Sequence, residues 1–172
     1  VSSKFILPDL AILDPLLTTN LPANITASTG IDAMVHAIEA FTSINSNNNP
    51  VSKMLSIEAL KLLGSSIKTA VFDGHNINAR SNMLLGSMLA GKAFANSPVA
   101  AVHALAYPIG GLFNISHGLS NSLVLTSVMK FNSKNEETKK NYAHLAPYVF
   151  KNLDNSKNCL LYTSPSPRDR FL

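Results

Sequence analysis

Apolar residues recur at helical spacing through most of the chain, and this periodicity constrains the fold more than any other sequence feature. The segment TGIDAMVHAIEAF (29–41) is typical, since one helix face collects Ile31, Met34, Val35, Ile38 and Phe41. Convincing alternation with a period of two occurs only near the start, where residues 4–7 resemble a strand. The pattern therefore predicts an all-α helical domain preceded by one short strand.

Helix boundaries follow from capping and breaking residues. Ser28 or Thr29 is a candidate cap for the first helix. Pro108, followed by Gly110 and Gly111, is expected to stop a short fourth helix. The predicted helices cover about 28–42, 51–72, 78–95, 98–108, 118–131 and 134–151. The proline-punctuated segment before them is predicted to be extended.

Composition excludes several classes of protein. Hydrophobic residues make up 46% of the 172 residues and charged residues only 14%, below the usual quarter, so a sizeable buried core is expected. The net charge of +4 comes from scattered lysines and arginines, whereas nucleic-acid binding needs a concentrated basic surface. No apolar run reaches the 18 residues of a membrane span. The only cysteine, Cys159, excludes an internal disulfide and a cysteine-based zinc site.

Both ends of the sequence are unusual. The first residues lack Met and any signal-peptide layout and begin within the predicted strand. We therefore expect a fragment of a cytoplasmic protein, although an organellar signal could stand upstream of it. Near the other end, CLLYTSPSPRD (159–169) resembles a translated sequencing adapter. We expect residues 153–172 to form a disordered tail without function, whether it is adapter or an ordinary Pro/Ser-rich end.

Asp32 and His36 raise a chemical question, because residues four apart lie on the same face of a helix. In one interpretation they form a surface contact, with Glu39 as a third member, worth a few tenths of a kcal/mol. In the other, the carboxylate and the imidazole are two ligands of a metal ion. This segment alone leaves both interpretations open.

The segment VAAVHALAYPIGGLFNISHG (99–118) contributes two more imidazoles, His103 and His117. The proline and the glycine pair between them predict a helix end and a turn, so both side chains can approach one point. Each histidine alone is more often a buried structural residue than a ligand. Together with Asp32 and His36 they give three imidazoles and one carboxylate, a set that suits a divalent first-row metal.

The two motifs together resemble the metal-dependent, iron-containing (group III) alcohol dehydrogenases. In that family the corresponding side chains bind one divalent metal, so the resemblance implies that Asp32, His36, His103 and His117 bind Fe²⁺ or Zn²⁺. The resemblance covers about residues 6–132, including LPxxxTASTG, NPVSKMLSIEAL and ARSNMLLGSMLAGKAF.

The resemblance also implies an architecture. The fold expected is the helical C-terminal half of the two-domain fold shared by dehydroquinate synthase and the iron-containing alcohol dehydrogenases. Residues 1–27 would be the end of an α/β nucleotide-binding domain and its linker, and residues 28–152 the helical metal-binding and catalytic domain. The strand at 4–7 would then belong to the nucleotide-binding domain.

The activity implied is oxidation of a small alcohol to an aldehyde or ketone, with NAD or NADP as hydride acceptor, in an enzyme that forms a homo-oligomer. Leu17 and His117 are expected near the cofactor. Tyr107 stands where many members carry a histidine that relays protons, and tyrosine in general suits that role less well, since its reference pKa is about 10. The alternatives are a glycerol dehydrogenase or dehydroquinate-synthase-like enzyme of the same fold, or an inactive metal-binding fragment. The sequence does not identify the alcohol.

Overall fold

The computed structural model describes residues 8–150, and all regular structure within this range is helical. A short 3-10 helix, Pro15–Thr18, precedes six α-helices: α1 (Ala23–Thr42), α2 (Pro50–Phe72), α3 (Ile77–Asn96), α4 (Ala101–Phe113), α5 (His117–Asn132) and α6 (Glu136–Val149). The predicted all-α class is confirmed. The predicted strand at 4–7 and the tail at 153–172 lie outside the described residues. Between residues 8 and 150, none of the helices is both long enough and apolar enough to cross a membrane.

The first α-helix begins earlier than the capping pattern predicts. It starts at Ala23, directly after Pro22, so Ser28 and Thr29 lie inside it. Their hydroxyls donate to the Ile25 carbonyl oxygen at 3.2 and 2.8 Å, as serine and threonine commonly do within a helix. The prediction that either residue caps the helix is therefore wrong.

The fourth helix continues past the residues predicted to stop it. Pro108, Gly110 and Gly111 all lie inside α4, which ends at Phe113. The chain leaves the helix at Asn114, whose φ of 52° is left-handed, a conformation that asparagine tolerates better than most residues. The turn between the two histidine-bearing helices is thus at 114–116 rather than at the glycine pair.

Helix α1 lies at the centre of the domain and contributes to both of its apolar clusters. On one side, Met34 and Ile38 join a cluster with Leu60 and Leu63 of α2 and with residues of α3 and α6. On the other side, Val35 joins a smaller cluster with Val102 of α4 and Val128 of α5. Helix α1 therefore packs against both groups of helices.

Glycine allows α2 and α3 to approach closely, as the small residues of α3 predict. A Cβ added at Gly86 would lie 2.7 Å from Leu63 Cγ, whereas one added at Gly91 would meet nothing within 4 Å. The two helices are therefore in close contact at Gly86, whereas Gly91 faces open space.

Arg80 joins the segment before α1 to the start of α3. Its buried guanidinium donates from Nη1 to Thr26 Oγ1 at 2.8 Å, from Nε to the Gly74 carbonyl oxygen at 2.8 Å, and from Nη2 to the Leu21 carbonyl oxygen at 3.3 Å. Hydrogen bonds from a charged donor are stronger than those between neutral groups. Arg80 therefore holds three points of the chain together.

Replacing Arg80 with methionine should lower the free energy of unfolding by about 3 kcal/mol, because one buried and two partly buried acceptors lose a charged donor. Urea denaturation of the two proteins measures the difference. Lys68→Met, on the exposed surface of α2, is the control and should change the value by less than about 0.5 kcal/mol. Equal stabilities for Arg80→Met and the unmodified protein would contradict the anchoring role.

Candidate metal centre

Three helices bring the four predicted ligands together around one carboxylate. Asp32 and His36 share a face of α1, with 3.9 Å between Asp32 Oδ2 and His36 Nδ1. His103, near the start of α4, places its Nε2 atom 3.4 Å from Asp32 Oδ1. His117, the first residue of α5, places its Nε2 atom 3.4 Å from the same oxygen. Residues 71 and 85 positions beyond Asp32 in the sequence thus meet it in space.

These separations match those between ligands of one metal ion. Metal–nitrogen and metal–oxygen bonds of about 2.1 Å in a tetrahedral arrangement place neighbouring ligand atoms about 3.4 Å apart. Candidate ligand atoms of Asp32, His36 and His103 all lie within 4.8 Å of one another. The set contains imidazole and carboxylate, which suit iron and zinc alike. The residues present therefore fit a divalent first-row metal.

Aromatic packing fixes the orientation of the imidazoles. The His36 ring stacks between Phe94 and His103, with centroid distances of 4.7 and 4.5 Å. On the other side, the His117 ring stacks on Tyr107 at 5.3 Å. The side chain of His103 is 2% exposed, whereas that of His117 is 41% exposed. The cluster is therefore closed at His103 and open at His117.

The local charges favour a cation at this position. Burial raises the pKa of Asp32, but the hydrogen bond with His103 and the charges of His36 and His117 outweigh burial and lower it. Burial lowers the pKa of His36, and the nearby Asp32 carboxylate only partly opposes it. Burial also lowers the pKa of His103, but hydrogen bonds with Asp32 and Glu39 prevail and raise it to about 9. The negative charges of Asp32 and Glu39, which favour a proton on His103, also favour a metal cation, which would bind by displacing that proton.

Glu39 is buried, with only 5% of its surface exposed. Its Oε2 atom lies 2.7 Å from His103 Nδ1 and accepts from the Ala100 N–H at 2.9 Å. Its Oε1 atom accepts from the Val102 N–H at 2.7 Å. Burial raises the pKa of Glu39, but these hydrogen bonds outweigh burial and lower it. The interpretation of Glu39 as part of a surface contact with Asp32 and His36 is therefore wrong.

Asn121 of α5 belongs to the cluster, although the sequence patterns did not single it out. Its Nδ2 atom donates to Asp32 Oδ1 at 2.6 Å and lies 3.4 Å from His103 Nε2 and 3.2 Å from His117 Nε2. Its buried Oδ1 atom has no hydrogen-bond partner among the described residues. The available signal was its position four residues after His117, which places both side chains on one helix face.

Of the two remaining predicted site residues, Tyr107 lies beside the histidine cluster and Leu17 lies in the 3-10 helix. Tyr107 borders the cluster through its stack on His117 and is 64% exposed. Leu17 lies in the 3-10 helix with its side chain exposed. The proximity of Leu17 to a cofactor stays a prediction.

The sequence matches a known protein family over most of its length. Residues 26–160 match the sequence profile of the Fe-containing alcohol dehydrogenase family, C-terminal. The chain belongs to this family. The family predicted from the two motifs is thereby confirmed.

Individual members of the iron-containing alcohol dehydrogenase family are also similar to this chain. Long-chain-alcohol dehydrogenase 1 of Geobacillus thermodenitrificans is 48% identical over 131 residues, which are 76% of this chain and 33% of that protein. The solved structure of an alcohol dehydrogenase from Oenococcus oeni superposes with a TM-score of 0.77 at 36% identity, over 86% of this chain and 38% of that one. The chain spans about a third of the length of the curated relatives that it matches.

A third similar protein was solved with a nucleotide. The structure of sulfoacetaldehyde reductase from Bifidobacterium kashiwanohense, in complex with NAD⁺, superposes with a TM-score of 0.72 at 34% identity. The match covers 77% of this chain and 35% of that one.

Proposed function

We propose that this chain is the metal-binding and catalytic part of an NAD(P)-dependent alcohol dehydrogenase that interconverts a small alcohol and its aldehyde or ketone. The observation that carries the proposal is the convergence of His36, His103 and His117 on the Asp32 carboxylate. Family membership and the NAD⁺ complex of the similar reductase support the reaction class.

Asp32, His36, His103 and His117 would hold one Fe²⁺ or Zn²⁺ ion. Such an ion acts as a Lewis acid that polarises the substrate oxygen. Asp32 contributes the only negative charge among these four side chains and so offsets part of the charge of the ion. The stacks of His36 on Phe94 and of His117 on Tyr107 hold two of the imidazoles in place.

The substrate would approach from the side of His117. His103 is closed off at 2% exposure, whereas His117 and Tyr107 are accessible to solvent. The Tyr107 hydroxyl on this open side can donate a hydrogen bond to a substrate oxygen. The nicotinamide must reach the same side, because hydride passes directly between cofactor and substrate carbon.

The phosphates of the cofactor are assigned to another part of the complete enzyme. Pyrophosphate binding in dehydrogenases uses a glycine-rich loop that leads into a helix N-terminus. Gly110 and Gly111 instead lie inside α4. In the described part of the chain, these two glycines therefore do not form a phosphate-binding loop.

Metal removal tests the proposal. The complete enzyme, treated with a chelator until elemental analysis finds no metal, should lose alcohol-dependent NAD(P)H formation. Fe²⁺ or Zn²⁺ should restore it, and Mg²⁺ should not, because Mg²⁺ prefers oxygen ligands to imidazole. A metal-free enzyme that retains its activity would refute the proposed function.

A further inference from the structure

Glu39 contacts His103 on the side opposite the candidate metal centre. The imidazole has two nitrogen atoms, and they face different partners. Nδ1 lies 2.7 Å from Glu39 Oε2, and Nε2 lies 3.4 Å from Asp32 Oδ1. Glu39 is on α1 and His103 on α4, so this contact joins two helices. Both side chains are almost fully buried.

The chemistry of this contact determines which nitrogen of His103 can bind a metal. A neutral imidazole carries one N–H and one lone pair, on different nitrogens. The Glu39 carboxylate can only accept hydrogen bonds, so it requires the N–H at Nδ1. The lone pair is then on Nε2, the atom that faces Asp32. Hydrogen bonding to the second nitrogen fixes the tautomer of metal-binding histidines in this way.

Glu39 also fixes the position of the helix that carries His103. Helix α4 has no side-chain cap of its own, because the residue before it is Ala100. The first N–H groups of a helix have no partner within the helix. Glu39 accepts from the N–H groups of Ala100 and Val102, and its negative charge suits a helix N-terminus.

We propose that Glu39 is a positioning residue for the metal ligand His103. Glu39 sets the tautomer of the His103 imidazole and anchors the start of α4. The inference rests on the proposed function, since it takes His103 as a ligand. Glu39 itself is not one of the four proposed ligands.

Glu39→Gln tests the proposal in the complete enzyme. The glutamine NH₂ group can donate to His103 Nδ1, which would place the ring proton on Nε2, and a protonated nitrogen cannot bind a metal. We expect Zn²⁺ affinity, measured by calorimetry on the metal-free protein, to fall about 10- to 100-fold. Glu58→Gln, an exposed glutamate of α2 paired with Lys61, is the matched control and should leave the affinity unchanged.

A double-mutant cycle tests whether Glu39→Gln changes Zn²⁺ affinity through His103. If Glu39 acts through His103, Glu39→Gln should lower Zn²⁺ affinity much less in a His103→Ala background. An equal loss in both backgrounds would overturn the proposal, as would an unchanged affinity of Glu39→Gln in the presence of His103. Failure of the unmodified enzyme to bind either Zn²⁺ or Fe²⁺ would instead refute the proposed function and this inference with it.

The unmodified enzyme provides a test that does not depend on folding of a variant. In Zn²⁺-loaded protein with ¹⁵N-labelled histidine, NMR should find the His103 proton on Nδ1 and the metal on Nε2. A proton on Nε2 would overturn the proposal.

Discussion

Asp32→Asn should leave the complete enzyme folded but almost without metal and without activity. The substitution preserves the size of the side chain and removes the only carboxylate among the four proposed ligands. We expect Zn²⁺ affinity to fall by more than the roughly 10- to 100-fold typical of a lost outer hydrogen-bond partner, and alcohol oxidation to become undetectable. Elemental analysis and a coupled NAD(P)H assay measure the two quantities.

The control for this experiment is Asp73→Asn, an exposed carboxylate just after α2. It removes the same charge from the protein without approaching the histidines, so metal content and turnover should be unchanged. Normal metal content and normal turnover in Asp32→Asn would show that Asp32 and His36 form only a local contact on α1.

Gly118→Ala should destabilise the fold and open the candidate metal centre together. A Cβ at this position would collide with the backbone carbonyl of Ser28 on α1. Because a backbone cannot move aside as a side chain can, α1 and α5 would have to separate. Overpacking typically costs about 1–3 kcal/mol, and we expect a loss near the upper end of that range. Since His117 precedes Gly118, metal affinity should fall as well.

Gly111→Ala is the matched control, because an added Cβ there would meet nothing within 4 Å. Alanine is favoured over glycine inside a helix by about 1 kcal/mol, so this variant should be as stable as the unmodified protein or more stable. Urea denaturation of both variants measures the contrast. A Gly118→Ala protein as stable as Gly111→Ala would mean that α1 and α5 do not pack closely at this point.

Local spacing made part of the site predictable. The i, i+4 relation of Asp32 and His36 depends only on helix geometry, and the structure realises it. The turn expected between His103 and His117 indicated that these two side chains could approach one point. Their convergence on Asp32 was implied only by the family resemblance, because contacts between distant segments are set by tertiary packing.

The missed features are those that depend on neighbours far along the chain. The role of Glu39 requires the start of α4, which is more than sixty residues away in the sequence. Asn121 looks like any other helix asparagine until His103 and Asp32 are placed beside it. Pro108 would end an isolated helix, yet α4 continues through it, so the local rule was overridden in the folded domain.

The distribution of the cluster over α1, α4 and α5 has a consequence for folding. A metal ion bound to all four side chains would cross-link α1 to α4 and α5, which follow α1 in the sequence only after α2 and α3. Such a site does not exist in the unfolded chain, so metal binding stabilises the native state in proportion to the logarithm of metal concentration. The thermal stability of this domain should therefore rise with metal concentration. In the metal-free protein, unfolding should begin with the separation of α4 and α5 from α1.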